Sequence, residues 1–160
     1  MIVVSDTTPL RYLVVLGHLD LLPRLFGSVH CPDAVMTECR HPRAPAPLRE
    51  WAVAPPAWLS VDSVRDIDPE LTAALDEGEA AAITLAQRLR ADVILIDEQD
   101  GRRLARARGL ATAGTLTILA QAGIRGWLDF HSMVSRLRTE TNFRTTQAVI
   151  DSAWQAVQPR

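Results

Sequence analysis

Two short apolar runs, each followed by an aspartate and then by a helical pattern, constrain this chain more than any other feature. Ile2-Val3-Val4 leads to Asp6, and Val93 to Ile96 leads to Asp97. Strands that alternate with helices predict right-handed parallel crossovers, and therefore an α/β fold: a three-layer α/β/α sandwich with a central parallel sheet. Ligands of open parallel sheets bind beyond the carboxyl ends of the strands. Two carboxylates at that edge therefore predict a site for a cation, or for a phosphate bound through a cation.

The 160 residues are predicted to form a single domain, because no internal repeat, low-complexity tract or long linker divides them. The first residues carry no basic region, and the next apolar stretch is interrupted by Pro9, Arg11 and His18. We therefore expect neither a signal peptide nor a membrane span. Cys31 and Cys39 are too far apart for a disulfide if a helix separates them, so a cytoplasmic location is expected.

Caps, glycine stops and apolar periodicity predict the individual elements. Thr8 is the predicted N-cap of the first helix, with Pro9 at the first helical position and Gly17 as the stop. The strands are predicted at 2–5, 29–31, 58–61, 93–96 and 110–113. The helices are predicted at 9–16, 18–26, from 32 to about 39, 48–53, 80–91, 99–108, 115–122, 128–138 and 144–157.

The composition excludes several classes of enzyme. The chain contains no lysine, so all 17 of its basic residues are arginine. A Walker A loop, a Schiff-base enzyme and a pyridoxal-phosphate enzyme all require a lysine. There is also no G-x-G-x-x-G or G-x-S-x-G pattern. Catalysis would therefore use carboxylates, hydroxyls, histidines or arginines.

Carboxylates and hydroxyls recur where the predicted strands and helices meet. Glu38 lies about two turns into the helix after the second strand, and Glu79 stands at the start of the long helix. Ser5, Thr7 and Thr115 add hydroxyls at the same predicted edge. Clustered carboxylates repel one another unless a cation neutralises them, and hard cations such as Mg²⁺ and Mn²⁺ prefer oxygen ligands.

Four segments in order resemble the PIN domain family. They are Val3 to Leu10, Pro32-x-x-Val35-x-x-Glu38, Gly78-Glu79-Ala80 and Ile94-Leu95-Ile96-Asp97. The resemblance covers residues 2 to about 125, and the predicted helices within 126–158 lie beyond it. It is strongest toward a bacterial PIN-like subfamily of predicted nucleic-acid-binding proteins, to which the segments 97–102 and Gly114-Thr115 are also similar.

The resemblance implies a metal-dependent ribonuclease that uses Mg²⁺ or Mn²⁺ and leaves a 3′-hydroxyl on the cleaved RNA. Many members are toxins restrained by a small antitoxin protein, and members commonly form homodimers. Glutamate at position 79 departs from the aspartate of commoner toxin-type members. Carried over residue by residue, the implied catalytic and metal-binding quartet is Asp6, Glu38, Glu79 and Asp97, with Asp100 as a further metal ligand and Thr7 and Thr115 as supporting hydroxyls.

Arginines that follow Asp97 are candidates for nucleic-acid binding. The net charge of −2 does not by itself indicate an RNA-binding protein, but bound divalent ions would offset it. Arg102, Arg103 and Arg106 share one helical segment, and a bound polyanion would explain their clustering. The alternative is a solvated helix face paired with Glu98 and Asp100.

Two other functions and a different metal site are open at this point. A catalytically inactive PIN fold would serve as a nucleic-acid-binding or partner-binding module. A small-molecule phosphatase is less consistent with the sequence, since no D-x-D follows the first strand. A zinc site built from His30, Cys31, Cys39 and His41 fits no common ligand spacing.

Overall fold

A five-stranded parallel sheet forms the centre of the computed structural model, which describes residues 1–159. The strands are β1 (Val3–Ser5), β2 (Val29–Pro32), β3 (Leu59–Asp62), β4 (Val93–Leu95) and β5 (Thr112–Ala113), in the spatial order β3-β2-β1-β4-β5. The chain proceeds outward from β1 through β2 to β3, and then continues on the other side of β1 with β4 and β5. The order of the strands therefore reverses between β1 and β4, the position at which open α/β sheets bind their ligands.

Helices cover both faces of this sheet. They are α1 (Thr7–Leu16), α2 (Leu21–Phe26), α3 (Asp33–Cys39), α4 (Ala46–Val53), α5 (Pro69–Ala74), α6 (Glu77–Leu89), α7 (Gln99–Ala107), α8 (Thr115–Ile124), α9 (Phe130–Glu140) and α10 (Gln147–Ala156). Residues of α1, α8 and α9 share one apolar core, and residues of α5, α6 and α7 share the other. The predicted three-layer α/β/α sandwich with a central parallel sheet is confirmed.

The two-residue period of the strands divides the core between the faces. Val3 and Leu95 belong to the core under α1 and α8, whereas Val4, Ile94 and Ile96 belong to the core under α6. All five side chains are fully buried. Strands buried on both faces are near-continuous apolar runs, as these are, because helices cover each side of a parallel sheet.

The start of α1 differs from the prediction that Thr8 is its N-cap. The helix begins at Thr7, and Asp6 is the N-cap residue, with an extended backbone and a side chain that accepts no capping hydrogen bond. The Asp6 N–H donates to the Leu95 carbonyl oxygen at 2.9 Å, so the sheet pairing continues to the residue just before the helix. Pro9 occupies the third helical position, where its missing N–H has no intrahelical partner to lose.

Other boundaries shift for local reasons. The helix predicted from residue 18 begins at Leu21. The helix predicted from residue 80 is α6, which begins at Glu77 because Asp76 accepts the Glu79 N–H. The short helix α5 was not predicted; it follows an Asp68 cap with Pro69 in its first turn. The last helix begins at Gln147 rather than at residue 144, since Thr146 caps it.

The cysteines lie inside the protein as free thiols. Cys31 and Cys39 are both fully buried, and burial raises the pKa of each to about 12. His30, one of the four residues considered for a zinc site, instead bonds to Asp62, with 2.8 Å between Nδ1 and Oδ2. Over residues 1–159, no helix is both long enough and apolar enough to cross a bilayer.

We expect Ile94→Ala to lower the free energy of unfolding by about 2–5 kcal/mol, because Ile94 is fully buried in β4. Val53→Ala removes apolar atoms from a side chain that is 77% exposed and serves as the control, with an expected effect within about 0.5 kcal/mol. Urea unfolding of both variants measures the difference. Equal losses would contradict the assignment of Ile94 to the core.

Candidate active site

Asp6 is the most buried of the acids predicted to form the site. Its side chain is 1% exposed, and no hydrogen-bond partner for Oδ1 is found among residues 1–159. Burial raises the pKa of Asp6 to about 8, the Thr7 N–H lowers it in part, and the charges of Asp76, Glu38 and Asp97 raise it further. Asp6 Oδ1, just after β1, is therefore shielded from water and accepts no hydrogen bond from residues 1–159.

Glu38 reaches the same region from the last turn of α3. Its Oε2 accepts the Thr7 hydroxyl at 2.5 Å, and its Oε1 accepts the Gly78 N–H at 3.0 Å. Burial raises the pKa of Glu38 despite these bonds, with a further contribution from Asp76. The hydroxyl of Thr7, which the resemblance implied to be a supporting group, thus orients Glu38.

Asp97 follows β4 and is held by the start of α8. The Thr115 N–H and the Thr115 hydroxyl donate to its two carboxylate oxygens at 2.8 and 2.7 Å. Burial raises the pKa of Asp97, while the Thr115 bonds and the charge of Arg102 lower it. Since β1 and β4 are paired as Val4 to Ile94 and Ser5 to Leu95, Asp6 and Asp97 leave neighbouring strands at one edge of the sheet.

Glu79 enters this edge from the first turn of α6. It is buried, and its Oε2 has no hydrogen-bond partner within the part of the chain that the structure describes. Burial raises the pKa of Glu79 first, and Asp76, Asp6 and Glu98 raise it further. Four acids from β1, α3, α6 and β4 are therefore near enough to perturb one another.

Asp76 is an acid that the sequence analysis did not place in the site. Its Oδ1 accepts the Glu79 N–H at 2.8 Å, and its charge raises the pKa values of Asp6, Glu38 and Glu79. The spacing Asp76-x-x-Glu79 before an apolar helical run is a capping-box pattern, and this signal indicates a helix start at residue 77. The same residue that starts the helix thus adds negative charge beside the quartet.

Three glycines leave room for three of these carboxylates. A Cβ at Gly78 would lie 2.7 Å from the Glu38 carboxyl carbon, one at Gly101 would lie 2.6 Å from Glu79 Oε2, and one at Gly114 would lie 2.8 Å from Asp97 Oδ1. Real Cβ atoms do not approach other atoms so closely. The glycines of the motif pairs Gly78-Glu79, Gly101-Arg102 and Gly114-Thr115 therefore have a steric role. Each leaves the space that a carboxylate occupies.

The remaining predicted residues lie to one side of Asp97. Asp100 is exposed and pairs with Arg103 at 3.2 Å, and the Arg106 Nε donates to the Thr112 hydroxyl at 2.9 Å. Arg102 is half-buried and close enough to Asp97 to lower its pKa. Asp100 is therefore exposed, whereas Asp6 and Glu79 are buried and Glu38 and Asp97 are half-buried.

The donor set fits a hard divalent cation in its chemistry. It supplies only carboxylate oxygens, and two of these accept no hydrogen bond from residues 1–159. Burial raises the pKa values of Asp6 and Glu79 first and neighbouring carboxylates raise them further, and a bound cation would favour the ionised forms. Over residues 1–159, no three His, Cys, Asp or Glu side chains converge closely enough to enclose an ion. Mg²⁺ is usually bound by one or two carboxylates together with waters and substrate phosphates, which is consistent with this open arrangement.

Comparison with known proteins agrees with the fold. A family profile described as PIN domain matches residues 2–159. The chain belongs to the PIN domain family. The match includes α9 and α10, beyond the motifs that carry the resemblance in sequence. Members of the family are generally nucleases. Neither a curated protein nor a solved structure gives a significant match.

We expect the metal-free protein to lose stability as the pH rises from about 5 to about 8. Asp6 has an ordinary pKa of 3.8 and a folded-state pKa of about 8, so the folded protein binds a proton that the unfolded chain has released in this range. Each such group lowers the free energy of unfolding by at most about 1.4 kcal/mol per pH unit. Glu79 shifts in the same direction and adds to the slope.

Thermal unfolding in buffer with a chelator, at several pH values, measures this slope. Asp6→Asn removes one of the titrating groups and is expected to make the slope shallower. Asp20→Asn, at an exposed position, is the matched control with an unchanged slope. Stability that is flat or rises over this pH range would contradict the burial of like charges.

Proposed function

We propose that this protein is a metal-dependent endoribonuclease in which Asp6, Glu38, Glu79 and Asp97 are the catalytic acids. The observation that supports the proposal is the placement of these four side chains, from separate elements, around the carboxyl edge where the strand order reverses, with Asp6 close enough to feel the charges of Glu38 and Asp97 and to raise the pKa of Glu79. Membership of a family of nucleases agrees with it. The reaction is hydrolysis of an RNA phosphodiester bond that leaves a 3′-hydroxyl.

Asp6, Glu79 and Asp97 are the residues that would hold Mg²⁺ or Mn²⁺, with Glu38 beside them. When bound, such an ion lowers the pKa of a water ligand and neutralises charge on the phosphate. The oxygens free to bind are Asp6 Oδ1 and Glu79 Oε2, since both lack a hydrogen bond from residues 1–159. We assign Asp100 a role as a further ligand only when substrate is present, because its side chain is exposed.

The surrounding donors keep these acids in place. Thr115 fixes both oxygens of Asp97, and Thr7 and the Gly78 N–H fix those of Glu38. Fixed carboxylates need no reorganisation when charge develops at the phosphate, which is the source of electrostatic catalysis. Arg102, beside Asp97, is placed to neutralise a phosphate oxygen, and Arg103 and Arg106 extend the positive charge along α7.

Glutamate at position 79 reaches one methylene further than the aspartate of commoner toxin-type members. Gly101 accommodates this length, since the Glu79 carboxylate lies against the position that a Cβ would occupy. We propose that the longer side chain and the missing Cβ compensate for each other, so that the carboxylate remains a ligand.

We also propose that the protein acts in the cytoplasm as the toxin of a toxin–antitoxin pair, restrained by a small antitoxin and paired as a homodimer. Only the family supports this part. Induced expression that arrests bacterial growth, with relief by a short open reading frame adjacent to the gene, would support it. Growth unaffected by active enzyme would exclude the toxin role.

We expect purified protein with Mn²⁺ to cleave single-stranded RNA and Asp6→Asn to lower the rate by at least about a hundredfold, because it removes a ligand from the centre of the site. Its thermal stability should be equal or higher, since burying an amide avoids a buried charge. Asp20→Asn is the control, with a wild-type rate. Equal cleavage by wild type and Asp6→Asn would indicate a contaminating nuclease, and binding of RNA without cleavage would favour the inactive module.

We expect Gly78→Ala to reduce cleavage at least about tenfold without loss of stability. The new methyl group would displace the Glu38 carboxylate, which is the mobile end of a side chain, while alanine suits a helix better than glycine. Steady-state cleavage with Mn²⁺ and thermal unfolding of the same samples give the two readouts. A fall in stability together with activity would show that Gly78 supports the fold rather than the site.

A further inference from the structure

A groove of about 880 Å³ begins at Asp97 and runs between α7 and the first turns of α10. We call it the α7–α10 groove. Its α7 wall carries Arg102, Arg103 and Arg106, and its other wall consists of residues 143–146 and part of α10. The groove therefore meets the acidic edge of the sheet at Asp97, and its far side comes from the C-terminal segment.

Contacts to α1 fix the position of this second wall. The Tyr12 hydroxyl donates to Asn142 Oδ1 at 3.1 Å, and the Tyr12 ring packs edge-on against Phe143, with 5.2 Å between centroids. The charges of Asp97 and Glu98 raise the pKa of Tyr12, secondary to its burial, which places Tyr12 beside the acidic edge. Since α1 begins directly after Asp6, the wall has a defined position relative to the acids.

Arg144 brings a fourth positive charge to the groove from this wall. Its side chain is exposed and forms no hydrogen bond or ion pair with any residue in the range 1–159. Arg102 opposite is half-buried and likewise has no partner there. The groove thus holds two guanidinium groups whose donors are free for a ligand, one on each side. Asp97 and Asp100 at its end contribute the only negative charges that line it in the described part of the chain.

The second wall also has an apolar character that the α7 wall lacks. Phe143, Val149 and Ala153 line it, and Val149 is 51% exposed despite its apolar side chain. One wall therefore offers charged donors to phosphates, and the other offers apolar surface to flat, uncharged groups. A single nucleic-acid strand has this division between backbone and bases, whereas a duplex presents mainly backbone.

We infer that the α7–α10 groove binds a single RNA strand and that Arg144 is a phosphate contact on the second wall. The backbone lies along the arginines, and bases lie against Phe143 and Val149. The strand is thereby directed toward Asp97. This inference deepens the proposed function, and assigns α10 and the segment before it to substrate binding.

The test measures binding in the presence of a chelator, so that cleavage does not interfere. Fluorescence anisotropy of a short labelled RNA strand is recorded with wild type, Arg144→Gln and Arg90→Gln at several salt concentrations. Arg90 is an exposed arginine at the other end of α6 from Glu79, ~16 Å along the helix, and matches the change in charge. Thermal unfolding checks that both variants are folded.

We expect Arg144→Gln to weaken binding about tenfold, as for the loss of one charged hydrogen bond. The slope of log affinity against log salt concentration should fall by about one, which corresponds to one phosphate contact. Arg90→Gln should bind as wild type. The single strand should bind more tightly than the duplex of the same sequence, and Val149→Glu should reduce this preference.

Several results would overturn the inference. Wild-type affinity of Arg144→Gln, or equal loss in Arg90→Gln, would show that α10 is not part of the RNA site. Binding of poly-glutamate in place of RNA would assign the groove to an acidic protein segment. These outcomes are distinct from those that test the proposed function. If Asp6→Asn loses cleavage but Arg144→Gln binds RNA normally, the protein is a nuclease that does not use this groove. If Arg144→Gln binds RNA more weakly but the wild type cleaves none, the groove binds RNA and the protein is not a nuclease.

Discussion

The burial of carboxylates at one edge of the sheet is the constraint on which the candidate site depends. Asp6 and Glu79 are held away from water; burial raises the pKa of both, and the charge of Asp6 raises that of Glu79 further. Such an arrangement opposes folding, because a buried charge without a partner costs several kcal/mol. The two apolar cores on either side of the sheet offset this cost. The fold therefore holds carboxyl groups at this edge that ionise less readily than exposed ones.

Two kinds of local feature make this cluster possible. Protein donors satisfy Glu38 and Asp97, through Thr7, Gly78 and Thr115. The missing side chains of glycines provide the space, as Gly78 does for Glu38. The two features act together, since the N–H of Gly78 can donate to Glu38 only because no Cβ keeps the carboxylate away. A glycine and hydrogen bonds thus define the position of Glu38 and that of Asp97.

The sequence predicted the layers of the fold and the place of the site, because both follow from the strand-acid-helix pattern around Asp6 and Asp97. It placed the N-cap of α1 two residues late, since the pairing of the Asp6 N–H with Leu95 is a contact between distant segments. Asp76 was missed as part of the site, although its capping-box spacing with Glu79 was readable in the sequence. Neither the groove beside Asp97 nor the role of Tyr12 could be predicted, because both depend on how α10 packs against the rest.

The parallel pairing of β1 with β4 has a consequence for the order in which the molecule is made. Val3 pairs with Val93, and Asp97 depends on Thr115 for both of its hydrogen bonds. Contacts between segments so distant in sequence form late, because a long loop must close first. A chain emerging from the ribosome therefore carries Asp6 and Glu38 long before it has a complete centre. Any hydrolytic activity is delayed until the segment through α8 has been synthesised, which leaves the growing polypeptide inert beside the RNA that encodes it.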